Sequence, residues 1–132
     1  MTGSSTLPAS YLEKFHARGV PVGQIYGSTE TGPVSVVLKF KDAMKRVGFA
    51  GWPHAKLNLK LIDAEGHEVP SGAIGEVCVK APNVMRGYWS PAGAQTLEGL
   101  NDGWFHSGDM GFLDEEGCLQ IVGRNKDMII SG

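Results

Sequence analysis

Cysteine is scarce in this chain. Cys78 and Cys118 are the only two among 132 residues, and they stand far apart. A zinc knuckle or a redox pair needs two cysteines at short spacing, so each is read as a lone buried thiol, as suits a cytoplasmic protein. Long apolar runs are also missing: no stretch approaches the ~20 residues that cross a bilayer, and nothing resembles a signal peptide. Nor is there an excess of one charge. Twelve basic and 14 acidic residues are scattered along the chain, for a net charge of −2. That removes the basic stripe of a nucleic-acid binder and the cationic amphipathic helix of a membrane-surface protein. The excess is in glycine, with 19 residues, about twice the usual share. These glycines separate short apolar segments, as many strands and tight turns require, and the length suffices for one domain with a small core.

The chain opens with a helix expected over residues 6–18. Thr6 is placed to cap it, Pro8 fits its first turn, and Gly19 stops it. Tyr11, Leu12 and Phe15 recur at helical spacing and form its apolar face. A strand over 20–25 follows, an α-then-β order that suits the end of a layered α/β unit, with no earlier strand evident. Beyond it, 34–40 is strand-like, 41–46 is a polar connector, and Leu57, Leu59 and Leu61 alternate with Asn58 and Lys60 as in a half-buried strand. Asp63-Ala64-Glu65-Gly66 and Asp114-Glu115-Glu116-Gly117 share one hairpin chemistry. Further strands are expected over 75–80, 104–107, 110–113 and 118–122, with a break at Gly108-Asp109. A short helix is expected near 92–97, and a turn over 123–127 before the apolar stretch 128–130. The apolar and aromatic residues of 84–89 are expected to pack inside. The fold class is mainly β (α+β): an antiparallel, distorted β-barrel subdomain preceded by one helix and strand from an α/β layer.

Tyr26-Gly27-Ser28-Thr29-Glu30-Thr31-Gly32 follows the first strand. It combines a flat ring, small residues that let backbone N–H groups approach phosphate, aliphatic hydroxyls that can donate to it, and a carboxylate suited to Mg²⁺. By itself such a loop is also ordinary turn material. Three stretches follow it in order: Gly75-Glu76-Val77 with Gly87-Tyr88-Trp89; Trp104-Phe105-His106-Ser107-Gly108-Asp109; and Gly123-Arg124-Asn125-Lys126-Asp127 with 129–132. Together the four closely resemble the adenylate-forming enzymes, which include acyl-CoA synthetases, aryl-CoA ligases, luciferases and peptide-synthetase adenylation domains. The resemblance covers nearly the whole chain and is of the acyl- or aryl-CoA ligase type.

The resemblance implies an ATP-dependent carboxylic acid–CoA ligase that forms an acyl-adenylate and then a thioester. ATP/AMP, Mg²⁺ and CoA would be its cofactors and co-substrates, with a nucleotide and a carboxylic acid as partners. It implies that Tyr26 packs on adenine, that Gly27 and Ser28 line the nucleotide, that Thr29 bonds the α-phosphate, and that Glu30 helps hold Mg²⁺. Asp109 would accept both ribose hydroxyls, Arg124 would contact ribose and phosphate, and Lys126 would be the hinge of domain rotation. By the same resemblance, a lysine-bearing phosphate loop should precede the helix and a catalytic lysine should follow the hinge. Neither is among these residues. The chain is therefore expected to be an internal fragment: 1–33 the end of the α/β subdomain with the nucleotide loop, 34–123 the barrel-like subdomain, and 124–132 the hinge. It is expected to be inactive alone and to self-associate through the 6–18 helix. The rival expectation is a non-catalytic nucleotide-binding or scaffolding β module. Outside the resemblance, Asp109 reads as a turn residue, and Arg124 and Lys126 as a solvated turn. His106 reads as structural, with no second His or Cys at ligand spacing nearby, and His54 and His67 fall in turns.

Overall fold

A computed structural model describes residues 1–3, 7–93 and 95–126. Helix α1 (Ala9–His16) is shorter than the expected 6–18 segment; Pro8, which has no N–H to leave unpaired, is its N-cap. The expected cap, Thr6, lies outside the described residues. Of the three apolar residues on its expected face, Leu12 is buried, whereas Tyr11 and Phe15 are 55% and 48% exposed. The following strand, β1 (Gln24–Ser28), begins later than the expected 20–25 segment. Thr2 bridges Gln24 in parallel, with Thr2 N–H donating to Gly23 O and Ile25 N–H to Thr2 O, both at 2.9 Å. The sequence did not reveal this isolated parallel partner of β1.

From β1 onward the named ladders are antiparallel. β1 pairs with β2 (Gly32–Leu38), which pairs with β3 (Trp52–Pro53). A short helix, α2 (Phe40–Ala43), occupies part of the expected polar connector. The second sheet has the order β10 (Leu119–Arg124), β9 (Trp104–Leu113), β5 (Gly75–Lys80), β4 (Asn58–Ile62), with β8 (Leu100–Asn101) also on β9. Gly51, just before β3, bridges Leu119 at the start of β10: Ala50 N–H donates to Leu119 O and Leu119 N–H to Gly51 O, each at 2.7 Å. The two sheets thereby join edge to edge and curl into an antiparallel half-barrel. Val36, Leu61, Val77, Val79 and Leu119 fill its concave side, with the Tyr26 ring packed against them.

Three local expectations are corrected. The 92–97 stretch does not form the expected helix, because Pro91 and Gly93 favour a turn closed by Gly93 N–H to Ser90 O at 2.9 Å. That turn joins β6 (Tyr88–Trp89) to β7 (Gln95–Thr96). Gly108-Asp109 does not break the chain into two strands; β9 runs through it as a bulge. Arg124 ends β10 rather than lying in a turn, and Lys126, in the turn beyond it, is exposed. The expected strand 128–130 lies outside the described residues. Among those described, no helix is long and apolar enough to cross a membrane.

Candidate functional site

Two irregular ladders build the site. Between Tyr26↔Val36 and Ser28↔Gly32, β2 carries two more residues than β1, where Pro33 cannot donate to the ladder. The hairpin pinches tightly there: a Cβ on Gly27 would lie 2.5 Å from Gly32 O, so this position admits no side chain. The tip is held from within. Ser28 N–H donates to Thr31 Oγ1 (3.1 Å), Thr31 N–H donates to Ser28 Oγ (3.3 Å), and the buried Ser35 hydroxyl donates to Thr31 Oγ1 (2.9 Å). It is also held from outside, by Asn83 Nδ2 donating to Thr31 O (2.8 Å) and Met85 N–H to Glu30 O (2.7 Å). Thr29 is left exposed at the apex.

On the opposite wall, β9 spends residues 107–109 opposite Val77 alone. Ser107 Oγ donates to Val77 O (2.7 Å) and accepts from Asp109 N–H (3.1 Å), while Gly108 N–H donates to Glu76 Oε1 (3.0 Å). A second bulge, at Val122 of β10, brings Arg124 directly opposite Asp109 in the ladder. Without these insertions the period-2 alternation would put the two side chains on different terms with the site. Asp109, 15% exposed, receives Tyr26 OH on Oδ2 at 2.8 Å and Arg124 Nε on Oδ1 at 3.2 Å. Burial, and then the neighbouring Asp109 carboxylate, push the Tyr26 phenol far up despite a hydrogen bond with Ser107, so it remains a donor. Arg124 is 73% exposed at its side chain.

Glu30 Oε1 accepts Tyr88 OH at 2.8 Å. That bond first, then Glu30's own backbone N–H, Ser28 and the field of Arg124, hold the carboxyl below its ordinary value against slight desolvation. The field of Arg124 reaches Glu30, while Tyr26 and Arg124 both contact Asp109. A carboxylate beside the exposed Thr29 hydroxyl is a hard oxygen set. It fits Mg²⁺, which takes one or two carboxylates and keeps the rest of its shell for water and phosphate.

The family profile described as AMP-binding enzyme matches residues 1–89. The chain belongs to this AMP-binding family. It is 47% identical over 131 residues to an indoleacetate–CoA ligase of Aromatoleum aromaticum, covering 99% of this chain and 26% of that protein. A feruloyl-CoA synthase of Amycolatopsis is 42% identical over 132 residues, covering 100% of this chain and 27% of that protein. Among solved structures, an O-succinylbenzoate coenzyme A synthetase of Bacillus subtilis in complex with ATP and magnesium ion superposes with a TM-score of 0.85. That pair shares 37% identity over 98% of this chain and 27% of that one. The chain thus spans about a quarter of the length of the relatives it matches.

Several residues of this chain take parts that sequence reasoning missed. Tyr88 was expected to pack inside, yet Tyr88 and Trp89 are 39% and 80% exposed. A two-stranded ribbon has no second layer to cover it, and the Tyr88 hydroxyl reaches Glu30 instead. Asn83 and Ser107 act through backbone carbonyls of distant segments, Thr31 O and Val77 O, which leave no local signal. His106 was read without a ligand neighbour, but the ladder pairs it with Cys78. Its Nδ1 lies 3.6 Å from Cys78 Sγ and 3.4 Å from Glu76 Oε2. Both cysteines are free and buried, and burial first, with nearby carboxylates, pushes each thiol up to about 11.

Proposed function

We propose that these residues form the ribose- and metal-gripping wall of an ATP-dependent carboxylic acid–CoA ligase. Such a ligase converts a poorly electrophilic carboxylate into an acyl-adenylate and then a thioester. The observation that carries this reading is the Asp109 carboxylate, oriented from one side by Tyr26 and from the other by Arg124. Its two oxygens suit a vicinal diol. The exposed Arg124 is loosely held, since such surface pairs contribute ~0–1 kcal/mol, and it can turn toward ribose and phosphate when a nucleotide enters. Tyr26 would border the base, Gly27, Ser28 and Thr29 would meet the phosphate, and Glu30 would hold Mg²⁺. When bound, that ion would neutralise phosphate charge. Lys126, exposed in the turn just beyond β10, is the proposed hinge, where φ and ψ can swing without disturbing a ladder.

The test is calorimetric or NMR titration of the chain with AMP and with 2′,3′-dideoxy-AMP. Wild type is expected to favour AMP by roughly ten- to a hundredfold, the equivalent of about 1.5–3 kcal/mol in charge-assisted hydrogen bonds. Asp109→Ala should bind both nucleotides alike. Equal affinities in wild type, or a preference that survives Asp109→Ala, would assign Asp109 to the bulge alone.

A further inference from the structure

We infer that Glu76, Cys78 and His106 form a site for one zinc-class divalent cation, separate from the hard-oxygen set at Glu30. Val77 and Val79 point into the half-barrel core, so strand alternation turns Glu76 and Cys78 to the other face of β5, where the ladder brings His106 of β9 alongside. The ligand atoms of the three residues all lie within 4.8 Å of one another. Zinc bonds of about 2.3 Å to sulfur and 2.0–2.2 Å to nitrogen and oxygen, at tetrahedral angles, require edges of about 3.6 Å for S···N and about 3.4 Å for N···O. Cys78 Sγ to His106 Nδ1 is 3.6 Å, and His106 Nδ1 to Glu76 Oε2 is 3.4 Å.

Hydrogen bonding alone accounts poorly for this convergence. On a neutral imidazole, Nδ1 is either a donor to Glu76 or an acceptor from Cys78, never both, and 3.4 Å exceeds the usual ~2.7–3.2 Å of an N–H···O bond. A cation at the centre satisfies all three atoms. The donor set of thiolate, imidazole and one carboxylate selects zinc-like ions over Mg²⁺ or Ca²⁺. A supporting contact is already in place: Gly108 N–H holds Glu76 Oε1 at 3.0 Å, while Oε2 is the oxygen that faces His106. The positive charge of Lys60, opposite Cys78 in the ladder, lies over the Trp104 ring at 4.4 Å. Cys78 is fully buried, whereas the His106 and Glu76 side chains are 28% and 21% exposed, so the ion enters from their side and a water completes the fourth position. On binding, the Cys78 S–H proton leaves to solvent and an S–metal bond replaces it. The ion would then clamp β5 to β9 beside the bulge that presents Asp109.

The experiment is titration of the metal-stripped chain with Co²⁺ as a spectroscopic substitute. One equivalent is expected to give a sulfur-to-cobalt charge-transfer band with strong tetrahedral visible bands, abolished by one equivalent of Zn²⁺ and untouched by excess Mg²⁺. Cys118→Ser should retain the band and Cys78→Ser should lose it. His106→Gln and Glu76→Gln should each weaken binding by about tenfold or more. A wild-type spectrum that is weak, octahedral and without charge transfer overturns the proposal, whether or not any variant folds. So does a band that survives Cys78→Ser or disappears in folded Cys118→Ser.

Discussion

The Tyr88 hydroxyl reaches Glu30 from a two-stranded ribbon distant in sequence, at 2.8 Å. The same bond moves the two groups in opposite senses, because it favours a charged acceptor and a protonated donor: Glu30 is held below 4.5, and Tyr88 is raised above 10.0. A depressed carboxyl stabilises the fold above its unfolded value, and that contribution is lost as pH falls through the folded one. Both side chains are open to water, so the effect on global stability is small and the local titration is the better readout. In Tyr88→Phe the Glu30 carboxyl is expected to titrate nearer 4.5, as followed by carbon-detected NMR. An unchanged titration would show that the hydroxyl is not the main cause. Arg124 acts on Glu30 through its field alone, so its removal should move the titration the same way by a smaller amount.

Two hairpin turns show how one local rule recurs and then diverges with its surroundings. Asp63 Oδ1 accepts the N–H groups of Glu65 (3.0 Å) and His67 (2.8 Å), and Asp114 Oδ1 accepts those of Glu116 (2.9 Å) and Cys118 (2.8 Å). In each, a glycine at the same offset takes a left-handed conformation, with φ of 86° at Gly66 and 72° at Gly117. The Asp114 turn has in addition an Arg46 ion pair, and Arg46 stacks near Phe49 and Trp52. Burial alone would raise the Asp114 carboxyl; the two N–H donors and Arg46 outweigh it and hold the group below 3.8. The turn also feeds Leu119, whose backbone joins the two sheets. Asp114→Ala should therefore lower the unfolding free energy by about 1.5–3 kcal/mol in urea titrations, and by more than Asp63→Ala. Equal losses for the two variants would mean that Arg46 and the sheet junction add nothing.

At the scale of the whole molecule, the half-barrel joins the 26–32 loop to Asp109 and Arg124 across most of the chain, so the grip exists only once both sheets have closed. Gripping is not the same as reacting. Phosphoryl and acyl transfer need positive charge where negative charge develops. Arg124 has a field that reaches Glu30, and it is already paired with Asp109. The purified 132-residue chain is expected to bind nucleotide yet show no acid-dependent ATP–pyrophosphate exchange above background. Exchange that persists through repurification and vanishes in Glu30→Ala would show that these residues suffice for adenylation.

Chemistry confined to a few neighbouring residues was readable before any coordinates. The β-rich class follows from glycines spaced between short apolar runs, the two Asp turns from their own side chains, and the family resemblance from four motifs in order. The strand around 58–62 was legible because Leu57, Leu59 and Leu61 alternate with Asn58 and Lys60. The expected 92–97 helix fails because Pro91 and Gly93 set a turn there. What the tertiary structure alone decided is register. Whether Asp109 meets Arg124 depends on a bulge in each of two strands, and whether His106 meets Cys78 depends on how β9 is shifted against β5. A one-residue slip in a ladder exchanges the faces of every side chain beyond it, and no local propensity encodes the choice. Packing of Val36, Leu61, Val77, Val79 and Leu119 into one core sets that register, and the site inherits it.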